Sequence, residues 1–130
     1  MLKNVKFYAK EAQLRIKYMT TKDCLFCKLV AGEIKTDKIL ETDNVVAVND
    51  INPVAEIHIV IIPKKHIESV LTVSGSDSSD IIKMFEVAKK LVSERKLSAF
   101  RLAFNGGSYQ HVAHLHMHLI SGASVKWSKL

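Results

Sequence analysis

The chain has 130 residues, 48% of them hydrophobic and 25% charged, the size and balance of one globular domain with a core of its own. No apolar run approaches the roughly 20 residues that a bilayer-spanning helix needs, which argues against a membrane protein. The net charge is +6, but residues 1–18 alone set Lys3, Lys6, Lys10, Arg15 and Lys17 against Glu11. Most of the basicity therefore sits in an N-terminal extension rather than in a patch interleaved with aromatics, and no nucleic-acid partner is expected.

Residues 1–18 read as a basic helix without the apolar stretch of a secretory signal. They also lack the serine enrichment of a transit peptide, and Met19 offers an alternative start. The division expected is an extension over 1–21 and a folded domain over 22–130. Residues 23–34, "DCLFCKLVAGEI", carry apolar positions on a helical period after Asp23, a good N-cap, and Gly32 ends the segment. "KILETDNVVAVNDINP" reads as two strands around the turn Thr42-Asp43-Asn44, the second broken by Asn52-Pro53. "EIHIVIIPKKH" is a β-branched third strand stopped at Pro63. Residues 76–97 form the one long helix, with an apolar stripe at Ile81, Ile82, Phe85, Leu91 and Val92. "FRLAFN" is a fourth strand. The fold class is α+β, an approximately five-stranded, mostly antiparallel sheet with one long and one short helix on one side.

The fifth strand carries the chemistry. "NGGSYQHVAHLHMHLISG", residues 105–122, holds four of the six histidines, and His114, His116 and His118 alternate with single apolar residues. Alternation with period two predicts a half-buried strand whose three imidazoles share one face, roughly 6.5–7 Å apart. Titrating rings along one stripe are poor structural design, so the cluster reads as a metal or phosphate-chemistry site. A neutral imidazole is a competent nucleophile near pH 7, and attack on phosphorus would give a covalent phosphoryl-histidine. Donors beside it would hold the phosphoryl oxygens, without a catalytic magnesium. A second reading is that His-x-His on a strand, with a third histidine elsewhere, ligates a catalytic zinc that activates water. A third reading is a ligand- or partner-binding module without turnover.

Cys24 and Cys27 form a C-x-x-C pair, a spacing that suits metal or redox chemistry in a reducing compartment better than a disulfide framework. Two small buried hydrophobes would also fit. The flanking pattern is not βαβ, which weakens the redox reading, and a zinc site requires two further ligands.

His114-Leu115-His116-Met117-His118-Leu119-Ile120 resembles the signature of the HIT (histidine triad) family, in which histidines alternate with apolar residues. "CLFCKLVAGEI", "ETDNVVAVNDINP" and "HIVIIPKKHIESV" resemble further family segments, in its order and spacing, so that residues 22–122 are covered. The likeness is to the Hint-type branch of small nucleotide hydrolases, commonly homodimers. It implies a HIT-like fold and cleavage at the α-phosphate of a nucleoside phosphoramidate or dinucleotide, with release of a nucleoside monophosphate. His116 would be the nucleophile, with His118 and His58 flanking the phosphate and His114 completing the triad. Asp50 would accept the ribose hydroxyls of a purine nucleotide. Phe26, Leu29, Val48 and Ile51 would line the base pocket, and Asn105 and Gln110 would lie near the phosphate and leaving group. Members with this C-x-x-C hold a structural zinc, here through Cys24, Cys27, His66 and His114. The reducing compartment that the cysteine pair suggests places the protein in the cytoplasm. One position departs from it. His111 stands where the family commonly has a small hydroxyl residue touching the phosphate or leaving group, after a shortened loop, and it joins the substrate-binding set on that ground. Trp127 reads as part of a tail that packs at a dimer interface or in the partner's pocket, or equally as a hydrophobic anchor.

Overall fold

The computed structural model describes residues 23–126 and Leu130. The basic helix expected over 1–18 and the anchoring role of Trp127 lie outside these residues. The described elements are α1 (Leu25–Val30), β1 (Lys38–Glu41), β2 (Val45–Asn49), β3 (Ile57–Pro63), α2 (Ser78–Glu94), β4 (Arg101–Ala103) and β5 (Met117–Ser121), with short 3₁₀ turns between them. The five strands form one antiparallel sheet in the order β1-β2-β3-β5-β4. The expected α+β class holds.

The turn between β1 and β2 is built as its residues suggest. Thr42 Oγ1 accepts the Asn44 and Val45 amides at 3.2 and 3.0 Å, and the Thr42 amide donates to the Val45 carbonyl at 2.8 Å. Strand alternation then separates two cores. Val45, Ala47, Ile59, Ile61, Met117 and Leu119 face α2, whose Met84, Val87, Ala88 and Leu91 are buried against them. Val46, Val48, Val60 and Ile62 face the opposite way, against Leu29 and Phe26 of α1. The helices thus cover opposite faces, not one side as the sequence suggested. The composition of β2 and β3 explains this: both strands are apolar at nearly every position, the pattern of a sheet covered twice.

Three other expectations shift. Cys24, not Asp23, caps α1, its Sγ accepting the Cys27 amide at 3.3 Å. On α2 the buried stripe runs through Met84, Val87 and Ala88, leaving Ile82 56% and Phe85 44% exposed. The start of α2 is fastened to the chain after β3, where the buried Asp77 accepts the Ser74 amide at 2.9 Å and pairs with Lys65. Finally, β5 begins only at Met117. His114 and His116 precede it in irregular backbone, because the His114 amide turns back to the Val112 carbonyl at 2.8 Å and the Leu115 amide reaches the Ile67 carbonyl at 2.6 Å.

Candidate active site and metal-ligating cluster

Although only His118 of the triad lies in β5, the alternation of faces persists through the irregular segment. Leu115, Met117 and Leu119 go to the α2 core. His114, His116 and His118 are all buried, and the ring centroids of His116 and His118 are 5.0 Å apart, closer than a regular strand would hold them. Phe26 stands edge-on to His116 at 5.0 Å and to His114 at 5.9 Å, so α1 walls the cluster.

Hydrogen bonds fix the tautomers. The Val54 amide donates to His58 Nδ1 at 3.1 Å, so the proton of a neutral His58 sits on Nε2. Nε2 lies 2.8 Å from His118 Nδ1 and donates to it, which leaves the His118 proton on Nε2. That Nε2 is buried with no partner among the described residues. His116 Nδ1 donates to the His114 carbonyl at 2.7 Å, so its Nε2 carries the free lone pair. Register makes the chain of contacts possible: Val60 of β3 opposes His118 and Ile120 opposes His58, so the two rings meet diagonally across the β3–β5 ladder.

Burial keeps these rings neutral. Desolvation pushes His118 down to about 3, with His116 and His58 adding to the effect. Desolvation also lowers His116, against the His114 carbonyl, and lowers His58, against the Asp50 carboxylate. Asp50 does two things. Oδ1 accepts the Asn52 amide at 2.8 Å, capping the turn, while Oδ2 lies 3.4 Å from His58 Nε2. The ligand atoms of Asp50, His58 and His118 fall within 4.8 Å of one another. However, the direct His58–His118 hydrogen bond occupies both nitrogens that a cation there would need, which counts against a catalytic metal.

Cys24, Cys27, His66 and His114 form a second cluster whose ligand atoms all lie within 4.8 Å of one another. Cys24 Sγ is 3.3 Å and Cys27 Sγ 3.6 Å from His114 Nδ1, and Cys27 Sγ is 3.2 Å from His66 Nδ1. His66 Nδ1 and His114 Nδ1 are 3.1 Å apart. His114 Nε2 donates to the Pro63 carbonyl at 2.8 Å, so Nδ1 presents its lone pair to the cluster. Burial holds both imidazoles at about 4, neutral and able to ligate, and pushes the Cys27 thiol up to about 12 in the absence of a cation. Two cysteine sulfurs and two imidazole nitrogens at these distances fit a tetrahedral cation.

The remaining sequence candidates divide. Leu29 and Val48 pack beneath Phe26, whereas Ile51 is 89% exposed and stands apart from that apolar cluster. Asn105 and Gln110 are turned to backbone. Asn105 Nδ2 donates to the Leu130 carbonyl at 3.2 Å, and Gln110 Nε2 donates to the Glu68 and Val112 carbonyls at 2.9 Å each. His111 is exposed beside the cluster, near enough for its charge to bear on His116 and His118. Sequence reasoning missed the backbone contributors. The Val54 amide, which sets the His58 tautomer, also accepts at its carbonyl from the Lys126 amide at 2.8 Å. Only its place between Pro53 and the third strand could have marked it.

Among the described residues, no helix is long and apolar enough to cross a membrane. The family model described as "Scavenger mRNA decapping enzyme C-term binding" matches residues 23–129. The adenosine 5'-monophosphoramidase HNT1 of Candida albicans is 35% identical over 120 residues, covering 80% of this chain and 77% of that protein. The adenosine 5'-monophosphoramidase HINT3 of Danio rerio is 32% identical over 127 residues, 93% of this chain and 79% of that one. A HIT family hydrolase from Legionella pneumophila superposes with a TM-score of 0.74 at 40% identity, covering 82% of this chain and 99% of that chain. A histidine triad protein from Clostridium difficile does so with a TM-score of 0.74 at 37% identity, covering 79% and 93%. With its buried histidines, five-stranded sheet and matching segments, the chain belongs to the HIT superfamily, on its Hint-like side.

Proposed function

We infer that the chain is a HIT-type nucleotide phosphoramidase, which hydrolyses a nucleoside phosphoramidate through a nucleotidyl-histidine on His116. One observation carries the mechanism: His116 Nδ1–H is engaged by the His114 carbonyl at 2.7 Å, so Nε2 is an unprotonated nucleophile facing the site. Attack by Nε2 forms an N–P bond and breaks the bond to the leaving group, which departs with the electron pair. The His118 Nε2–H, which has no partner among the described residues, donates to a non-bridging oxygen as negative charge gathers there. His58 and the Val54 amide hold that donor in the correct tautomer. The adduct is a phosphorylated imidazolium, with Nδ1 still protonated. Water cleaves it, the N–P electrons return to Nε2, and a nucleoside monophosphate leaves. The HNT1 and HINT3 relatives, both named adenosine 5'-monophosphoramidases, support a purine nucleotide as substrate. Dinucleotides are a second substrate class open to the same chemistry.

Cys24, Cys27, His66 and His114 would hold zinc. Bound there, it supplies a structural tie between α1, the chain after β3 and the triad. The ring of His114 serves that site while its carbonyl serves His116. A thiol-rich metal site suits a reducing compartment, and the cytoplasm is the location we assign. We assign a homodimer as well. β4 is an edge strand, and Ile82, Phe85 and Phe100 stand exposed, Phe85 lying 6.5 Å from the ring of Phe104 just after β4. This apolar edge would pair with a second copy.

The test is mass spectrometry of protein quenched during turnover of an adenosine phosphoramidate. A nucleotidyl adduct on His116 is expected, together with a loss of several orders of magnitude in His116→Ala. Hydrolysis by the purified variant at a rate near that of the parent, or an adduct on another residue, refutes the mechanism.

A further inference from the structure

His118 is a phosphate donor only while its proton stays on Nε2. That proton is placed there because His58 Nε2–H donates to His118 Nδ1 at 2.8 Å, and His58 is protonated on Nε2 because the Val54 amide donates to its Nδ1 at 3.1 Å. If the His58 proton moved to Nδ1, its Nε2 would become an acceptor and His118 Nδ1 would have to donate. His118 Nε2 would then turn a lone pair on the phosphoryl oxygen. The Asp50 carboxylate resists this from 3.4 Å, beyond the usual length of such a bond. The polarity of the site therefore depends on where one backbone amide points.

Val54 lies between β2 and β3, outside the sheet ladder. Two bonds fasten this loop to the chain that leaves β5. The Lys126 amide donates to the Val54 carbonyl at 2.8 Å, and the Ala123 amide donates to Glu56 Oε1 at 3.2 Å. Ile57 pairs with Ser121 at the end of the β3–β5 ladder, so Glu56 and Gly122 come side by side just beyond it. Gly122 has φ 138°, and a Cβ there would stand 2.6 Å from Glu56 Oε1 and 3.1 Å from Glu56 Cβ. The bare backbone of Gly122 lets the Glu56 side chain lie across the strand end and reach the next amide, a bond strengthened by the carboxylate charge. From that point the chain returns to Val54, whose side chain is buried, while Glu56 itself is exposed, outside the buried histidine cluster.

We propose that Glu56 is a positioning residue: its carboxylate clamps the chain after β5, so that the Lys126 amide holds Val54 in place against His58 and the His118 proton is kept facing the phosphate. Glu56 acts on the reaction through Ala123, Lys126, Val54 and His58, and touches no reacting atom. The kinetic consequence rests on the phosphoramidase reading above, whereas the tautomer consequence rests on the hydrogen bonds alone. Without the clamp the Val54 amide drifts from His58 Nδ1, both His58 nitrogens share the proton, and a fraction of the molecules lose the phosphate donor. That donor is most needed as charge gathers on the phosphoryl oxygens, so the loss falls on kcat rather than on KM.

The experiment reads the tautomers directly, from long-range proton–nitrogen correlation spectra of the histidine rings in the full chain, beside kcat and KM for an adenosine phosphoramidate. Four proteins are compared: the parent, Glu56→Gln, which keeps an acceptor oxygen, Glu56→Ala, which removes it, and Gly122→Ala, which obstructs the same clamp from the other side. The parent should show His58 and His118 protonated on Nε2 alone. Glu56→Ala and Gly122→Ala should show the His58 proton shared between both nitrogens and a kcat lowered about tenfold, with KM changed less than about twofold. Glu56→Gln should match the parent in both readouts. Glu56→Ala with His58 still protonated on Nε2 alone and an unchanged kcat would overturn the proposal, whatever its melting temperature, and so would Glu56→Gln losing as much as Glu56→Ala. A parent protein that shows the Nε2 tautomers yet fails to hydrolyse the phosphoramidate would instead overturn the phosphoramidase reading, and the spectra of the variants would still decide the clamp.

Discussion

The acid limit of activity follows from the depth at which the triad is set. The nucleophile must be unprotonated at Nε2, and an ordinary imidazole with a pKa near 6.5 is about 90% protonated at pH 5.5. His116 is lowered from 6.5, first by burial, and His118 is held at about 3. Both rings should therefore stay neutral below the usual range, and at pH 5.5 the protein should retain more than the roughly tenfold-reduced activity that an unperturbed histidine would allow. The assay is kcat/KM between pH 4.5 and 8 on a phosphoramidate diester, whose single phosphoryl charge does not titrate in that window. Samples returned to pH 7 after each incubation distinguish protonation from unfolding. The fold has its own acid dependence in the same direction. With a folded value of about 3 and an unfolded value near 6.5 for His118, the unfolded chain binds more protons between them. Stability rises with pH across this window and is lost as pH falls from about 6.5 towards 3. An acid limb centred at or above 6.5, reversible and without loss of fold, would show that the triad is solvated and that the tautomer assignments built on its burial are wrong.

Metal analysis of protein purified without chelators should find one zinc per chain, and Cys24→Ser/Cys27→Ser should lose both the metal and several degrees of melting temperature; metal-free native protein with reduced thiols would contradict this. Asp50→Asn keeps the cap on Asn52 but removes the charge beside His58, so ribonucleotide binding should weaken more than deoxyribonucleotide binding, by about 1–3 kcal/mol. Equal loss for both, measured by titration, would leave Asp50 with the turn alone. Lys96 ends α2 at φ 54°, in the left-handed region that favours glycine, and Lys96→Gly should stabilise the protein by up to about 1 kcal/mol in urea unfolding. Phe85→Glu should shift the protein to monomers in analytical ultracentrifugation, and an unchanged mass would exclude α2 from the interface.

The strands and the site's residue types could be read from the sequence because side chains carry those signals. β-branched runs gave β2 and β3, and the turn at Thr42 behaved as its hydroxyl suggested. The histidines were found by spacing, and their common face survived even where the strand did not. What could not be read lies in the backbone and in tertiary contacts. The Val54 amide, the Pro63 carbonyl and the His114 carbonyl determine which nitrogen of each imidazole is protonated, and any residue supplies such groups. Ile82 and Phe85 look like core on a helical wheel, yet the sheet surface under α2 selects Met84, Val87 and Ala88 instead. Asn105 and Gln110 matched polar positions by resemblance, but their amides answer to nearby carbonyls that no motif records.

Leu115, Met117 and Leu119 share a backbone with His114, His116 and His118 and are buried on the opposite side, against α2. The distance between nucleophile and phosphate donor is consequently a property of a layer that substrate never touches. A methylene gained or lost at Met84 or Met117 shifts the strand, and with it a pair of rings whose alignment tolerates little error. Drift among the aliphatic residues of α2 would then surface as kinetic variation between orthologues with identical active-site residues. Attempts to thermostabilise this protein by refilling that layer would change turnover in either direction before they changed the melting temperature by much.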